Sequence, residues 1–261
     1  ERVGYYGNSL GDHFGVGHIF LAGEAPGLCY GYVTQGIVQK EDITENGIKY
    51  IKQDGSVGYY QTVNKTTPVA GDVKYVDRNG DGVVDDNDRD IIGNPNPDFT
   101  YGFQTKVSWK SLSLSASFNG VQGRDILNVG NRYNNTPGTK SNNVTRKAFQ
   151  NMWTDENPSN LYPKSTFVVQ NMVMDRYVED GSYLRCSDIT LSYVLPAKWT
   201  NKIGIKNTSV YASVKNAFVI TDYSGYDPEV NSFAFDGLRP GVDMNSYPTP
   251  RSFVFGLNLT F

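Results

Sequence analysis

The sequence predicts an all-β chain that supplies about seven strands to a larger transmembrane antiparallel β-barrel, and three features carry that prediction. Apolar residues recur at every second position over long segments, the signature of a strand whose two faces meet different surroundings. Short and long connections between those segments alternate strictly, as they do around outer-membrane barrels. The chain also closes on an aromatic residue, Phe261, where a terminus in water would fray and an apolar side chain would be a liability.

The alternation is cleanest at the end. In RSFVFGLNLTF, Phe253, Phe255, Leu257, Leu259 and Phe261 are apolar, and the residues between them are small or polar apart from Val254. In FTYGFQTKVSW, Tyr101, Phe103, Val107 and Trp109 share a face, opposite Gly102, Gln104, Lys106 and Ser108. KSLSLSASF sets Leu112, Leu114, Ala116 and Phe118 against a run of serines. Little more than Lys110 and Ser111 separates these two segments, which predicts a tight hairpin. SDITLSYVLP alternates Ile189, Leu191, Tyr193 and Leu195 with Asp188, Thr190, Ser192 and Val194. Residues 208–220 are β-prone with a weaker pattern, and residues 14–22 and 28–38 complete the count of seven. The residues expected to face lipid are Tyr101, Phe103, Trp109, Leu112, Leu114, Phe118, Ile189, Leu191, Tyr193, Phe253, Phe255, Leu257, Leu259 and Phe261. Aromatics near strand ends with aliphatics between them resemble the interfacial girdles of a barrel.

Connection lengths set the topology. Links at 23–27, 110–111 and 196–207 are short or moderate. Those at about 39–98, 122–182 and 221–249 are long and rich in Asn, Gly, Asp and Pro. With the last strand ending in the periplasm, every long link falls outside the cell. Seven strands are an odd number and would leave open edges in lipid, so the remaining strands must come from elsewhere. One short helix is expected in residues 143–153, where Val144, Ala148 and Met152 are helically spaced.

Composition excludes several classes. A net charge of −3, with 18 Tyr, 13 Phe and 27 Gly, does not point to nucleic acid or to a basic membrane-surface helix. No apolar run is long enough for a transmembrane helix, and no charged-then-apolar leader opens the chain, which reads as processed, truncated or starting mid-protein. Cys29 and Cys186 are too few for a disulfide framework and are not expected to pair. His13 and His18 have no Cys or His cluster around them, and neither a Ser–His–Asp spacing nor a phosphate loop is evident, so the chain is not expected to be an enzyme.

One motif stands apart. DRNGDGVVDDND places Asp77, Asn79 and Asp81 at the first, third and fifth positions of a calcium loop, with Gly82 at the sixth-position turn. Val83 would offer a backbone carbonyl, Asp85 a water-mediated contact and Asp88 the closing carboxylate, where Glu is usual. The shorter Asp88 predicts weak affinity. Two prolines follow in GNPNPDF, so no helix pair flanks the loop and the expected role is a structural staple for an external segment. A secreted, calcium-stabilised β-sandwich that binds carbohydrate or mediates adhesion would also explain the aspartates and exposed aromatics. It accounts poorly for the alternation ending at Phe261.

Three segments, GDVKYVDRNGDGVVDDNDRDIIGNPNPDFTYGF, SLSLSASFNGVQGRDILN and GSYLRCSDITLSYVLP, follow one another in an order that resembles the C-terminal part of SusC/RagA-type TonB-dependent transporters. GLCYGYVTQGIVQ and VYASVKNAFVITDYSGYDPE fit the same family, so the resemblance covers essentially the whole chain. It implies a 22-stranded barrel closed by an N-terminal plug with a TonB-contacting segment, neither of which is visible in this chain. It further implies a SusD-like surface lipoprotein as a lid, and uptake of an oligomeric nutrient, glycan or peptide, across the Gram-negative outer membrane. The final VFGLNLTF resembles the signal that assembly machinery reads in a last strand, carried by Gly256, Leu259 and Phe261.

Overall fold

Period-two alternation becomes long antiparallel strands. The computed structural model describes residues 6–9, 16–136, 143–165, 172–200, 205 and 207–260. In it, Phe99–Trp109 (β1), Leu112–Gln122 (β2), Tyr183–Val194 (β3), Asn207–Thr221 (β4) and Ser252–Thr260 (β5) pair in that order in one antiparallel sheet. The sheet belongs to one of two compact units, formed by residues 97–124, 180–229 and 247–261. Pairing of β1 with β2 is unbroken from Phe99 opposite Gln122 to Trp109 opposite Leu112. The two-residue turn holds Lys110 at a φ of 54°, the left-handed backbone that so tight a hairpin needs at its first turn residue. An eleven-residue strand extends about 36 Å at roughly 3.3 Å per residue. Tilted by about 40°, it crosses about 28 Å, the depth of a bilayer's hydrocarbon core.

Bulges interrupt the pairing in the upper half of the sheet, the half away from the two-residue turn. Pairing of β2 with β3 shifts between Ser117 and Phe118, and pairing of β3 with β4 shifts between Cys186 and Asp188. Ser187 is therefore an extra residue on β3, and Asn216, at a φ of 51°, lies in the bulge beside it on β4. Adjacent bulges raise the local twist and turn the strand ends.

The second unit comprises residues 1–96, 125–179 and 230–246. The three long connections, expected as separate loops, thus share a core. Val38, Tyr50, Tyr60, Val63, Tyr75 and Val84 come from the first connection or its edge, Leu127, Met172, Met174 and Tyr177 from the second, and Val242 from the third. Two of the seven expected strands fall among the residues of this unit. Val16–Phe20 and Leu28–Tyr32 pair with each other, and with Tyr6–Ser9 and Arg89–Gly93, in a separate four-stranded sheet. LCYGY is buried at every position and so has no face to alternate. A Cβ on Gly31 would lie 2.4 Å from the Val173 carbonyl oxygen, an approach only glycine permits. The expected helix is present as Arg146–Asn151, capped by Thr145, whose hydroxyl accepts from the Ala148 N–H, with Ala148 buried.

Candidate functional site

Directly opposed residues share a face, so the register assigns each strand residue to a side. Phe103 stands opposite Phe118, Val107 opposite Leu114, and Trp109 opposite Leu112. The row continues from Leu114 through Leu191 and Ala212 to Phe255, and from Leu112 through Tyr193 and Val210 to Leu257. Ile189, Phe253 and Leu259 extend the same side, as does Tyr101 opposite Gly120. This face is not buried within the protein: Phe255 is 79% exposed, Leu257 57% and Leu114 47%, while Phe118 and Ile189 are half-buried among their neighbours. Phe261 lies outside the described residues. A soluble sandwich would bury such a face against a second sheet, and ordinary soluble monomers seldom display so large an apolar patch.

The reverse side is polar. Ser108 and Ser113 hydroxyls lie 2.8 Å apart. Asp188 accepts from Thr190 at 2.8 Å, Ser213 at 2.7 Å and the Lys215 ammonium at 2.6 Å. Gly256 sits on this side under the ring of Tyr211, where an added Cβ would come within 2.2 Å of ring carbons. The glycine therefore has a packing role in the last strand, in addition to any part in an assembly signal.

The aspartate loop belongs to the other unit, and its side chains organise the backbone. Asp77 accepts from the Gly80 and Gly82 N–H groups at 2.6 and 2.8 Å, Asn79 from Asp81 at 2.9 Å, and Asp81 from Val83 at 2.9 Å. Asp85 accepts from Asn87 at 2.8 Å. Asp88 accepts from Arg78 at 2.7 Å and from Asp85 at 2.8 Å, tying the loop's end to its beginning. Two buried tyrosines anchor the loop: Tyr50 donates to the Asp77 carbonyl at 2.6 Å, and Tyr32 to Asp86 at 3.0 Å. Asp77 and Asp88 are buried. Burial pushes the Asp88 carboxyl above the usual carboxylate range against three N–H donors, and the charge of Asp77 adds to the rise. Oxygen donors of the right kind are thus present, but among the described residues no three His, Cys, Asp or Glu side chains are gathered around a metal position.

Comparison with known proteins decides the family. TonB-dependent receptor P3 of Formosa agariphila is 33% identical over 248 residues, covering 93% of this chain and 23% of the receptor. TonB-dependent receptor SusC of Bacteroides thetaiotaomicron is 34% identical over 194 residues, covering 72% of this chain and 17% of SusC. The chain belongs to the SusC/RagA-like TonB-dependent receptors. Among solved structures, the RagAB peptide importer in its open-open state aligns with a TM-score of 0.64 and 25% identity over 94% of this chain and 23% of that one. No family profile matches. This SusC/RagA-like chain spans about a sixth to a quarter of the length of the curated relatives it matches, in their C-terminal portion. Its long sheet is a segment of the receptor barrel.

Sequence reasoning missed a buried charge cluster in this SusC/RagA-like barrel segment. On the polar side of β3, the Arg185 guanidinium pairs with Asp227 and lies 3.0 Å from Glu229, both in the connection after β4. Glu229 also accepts from the Tyr183 hydroxyl at 2.6 Å and from Asn119 at 3.0 Å, and Asp227 from the Thr249 N–H at 3.1 Å. Both Arg185 and Asp227 are buried. No spacing in the sequence links positions 185 and 227; an arginine in an otherwise apolar strand start was the one available signal. Among the aromatics of the third connection, Tyr223 is buried and Phe233 packs under Arg239, whereas Tyr226 and Phe235 are exposed. Both cysteines are free and buried, and burial pushes the Cys29 thiol up to about 12.

Proposed function

We propose that this chain forms part of the wall and the external loops of a transporter that imports an oligomeric nutrient, glycan or peptide, across the Gram-negative outer membrane. Transport is driven through TonB, with a SusD-like surface lipoprotein as lid, and involves no covalent chemistry. The observation that carries the reading is the two-sided sheet, whose exposed apolar face suits acyl chains and whose polar reverse suits an aqueous lumen. The relatives support it by name: they are TonB-dependent receptors, and one solved neighbour is a peptide importer. In this topology residues 39–98, 122–182 and 221–249 are extracellular, the C-terminus is periplasmic, and Gly256, Leu259 and Phe261 direct assembly. Expression of the full transporter with its plug and lipoprotein tests the reading. Extraction only with detergent, and co-purification of the lipoprotein, are the expected results; a protein that purifies from the aqueous fraction contradicts it.

The same reading gives calcium a structural role in the loop from Asp77 to Asp88, held by Asp77, Asn79, Asp81, the Val83 carbonyl, Asp85 through water, and Asp88. Support comes from the spacing and from two neighbouring buried carboxylates. A raised folded-state pKa at Asp88 means that stability is lost as pH rises through that value, because the charged form is disfavoured. A cation removes that cost. Calcium is therefore expected to raise the melting temperature at neutral pH and to lose its effect once acid protonates Asp88. The Asp77→Ala, Asp81→Ala double variant should show no calcium response at any pH. An equal response in variant and wild type would rule the site out.

A further inference from the structure

We propose that the short-turn rim of the sheet binds the headgroups of anionic phospholipids, with Lys110 and Lys198 on the phosphate and Trp109 and Trp199 flanking it. The inference rests on the lipid-facing reading above and adds a lipid class and a place. Charge is distributed unevenly along the chain: residues 99–122, 183–221 and 252–261 hold seven Lys and Arg and a single acidic residue, Asp188, although the whole chain is net −3. The two short connections, residues 110–111 and 195–206, contain four lysines and no Asp or Glu. The fold brings these connections together, because the Val194 N–H donates to the Ser111 carbonyl at 2.8 Å. Trp199 follows in the short helix Ala197–Thr200, its N–H bonded to the Pro196 carbonyl at 2.9 Å.

The side chains at this rim suit a membrane interface. Trp109 is 68% exposed and Trp199 59%, so the larger part of each side chain is open to its surroundings. Lys110 places its ammonium 4.8 Å from the Trp109 ring centroid, a cation–π contact that holds the charge at the level of the ring. Indoles settle at the headgroup boundary, and an ammonium held there meets the phosphate layer. Lys110 and Lys198 are both exposed, with no ion pair to a carboxylate among the described residues. Charge complementarity therefore selects an anionic headgroup over a zwitterionic one, and the apolar face beginning at Trp109 and Leu112 selects a lipid over a soluble anion.

The test uses the full transporter in micelles that contain equal phosphatidylglycerol and phosphatidylethanolamine, with retained lipid measured by mass spectrometry. Phosphatidylglycerol is expected to be enriched on the wild type. Lys110→Asn, which suits the left-handed turn, and Lys198→Gln should each lower the enrichment about fivefold. Lys110→Arg should preserve it, and millimolar inorganic phosphate should not compete. Equal retention of the two lipids by the wild type, unchanged enrichment in the double variant, or displacement by free phosphate would each overturn the proposal. Failure of the underlying reading looks different: the protein would then retain neither lipid.

Discussion

Arginine in place of Leu114 is expected to destabilise the barrel by about 1–2 kcal/mol, whereas Gln104→Arg, on the opposite side of the same hairpin, should change stability little. Leu114 stands in the row that runs through Val107, Leu191, Ala212 and Phe255, two residues in from the turn end of β2. A guanidinium there must enter hydrocarbon or drag water to itself, and the neighbours in the row offer no carboxylate. Gln104 faces the serine side with Ser117, where water or polar groups accept the charge. Urea unfolding of the refolded transporter in lipid measures the difference. Equal costs for the two substitutions would mean that the two faces of the sheet do not meet different solvents.

Removal of Arg185 is expected to cost about 3–5 kcal/mol, because it leaves Asp227 buried without its cation. The cluster fastens the connection after β4 onto the polar side of β3, so Arg185→Ala should also release residues 222–229 to hydrogen exchange. Burial raises the Asp227 carboxyl, but N–H donors from Glu229 and Thr249, and then the Arg185 charge, outweigh it and leave it below the usual carboxylate range. A depressed folded-state pKa means that this stabilisation is complete above the ordinary Asp range and is lost as pH falls through the depressed value. The acid limb of the stability curve should therefore be shallower in Asp227→Asn than in the wild type. An Arg185→Ala protein with wild-type unfolding and exchange would show that the cluster holds nothing in place.

Much of the sheet was legible because a barrel strand has two solvents, and two solvents impose a period of two. β1, β2, β5 and the lower part of β3 follow that rule and were read residue by residue. β4 was faint because Thr208, Ala212 and Asn216 weaken the alternation on its apolar side. The upper part of β3 was hidden by the extra residue at Ser187, which flips the phase so that Cys186 and Asp188 face opposite sides despite being two apart. The core of the second unit was not legible for a different reason. Its core gathers Tyr32, Tyr50, Tyr60 and Tyr75 with Met174 and Val242 across long separations, and no local periodicity reports a contact between residues so far apart. Tyr50, Tyr60 and Tyr75 fall in the long connection at 39–98, and nothing local marks them as core residues, yet Tyr50 donates its hydroxyl to the Asp77 carbonyl inside the core. The aspartate loop lay between these cases: its turn geometry followed from spacing, and its anchoring by Tyr50 and Tyr32 did not.

Single-cysteine spin labels along β2 and β5, placed in the complete transporter in bilayers, give the most direct test of the two-solvent claim; buried Cys29 and Cys186 should add little background. Labels at Leu114 and Phe255 should be relaxed by oxygen dissolved in the membrane and not by a water-soluble nickel chelate, and labels at Ser115 and Val254 should show the reverse. Collision with the nickel chelate at positions 114 and 255, or shielding from both reagents there, would contradict it.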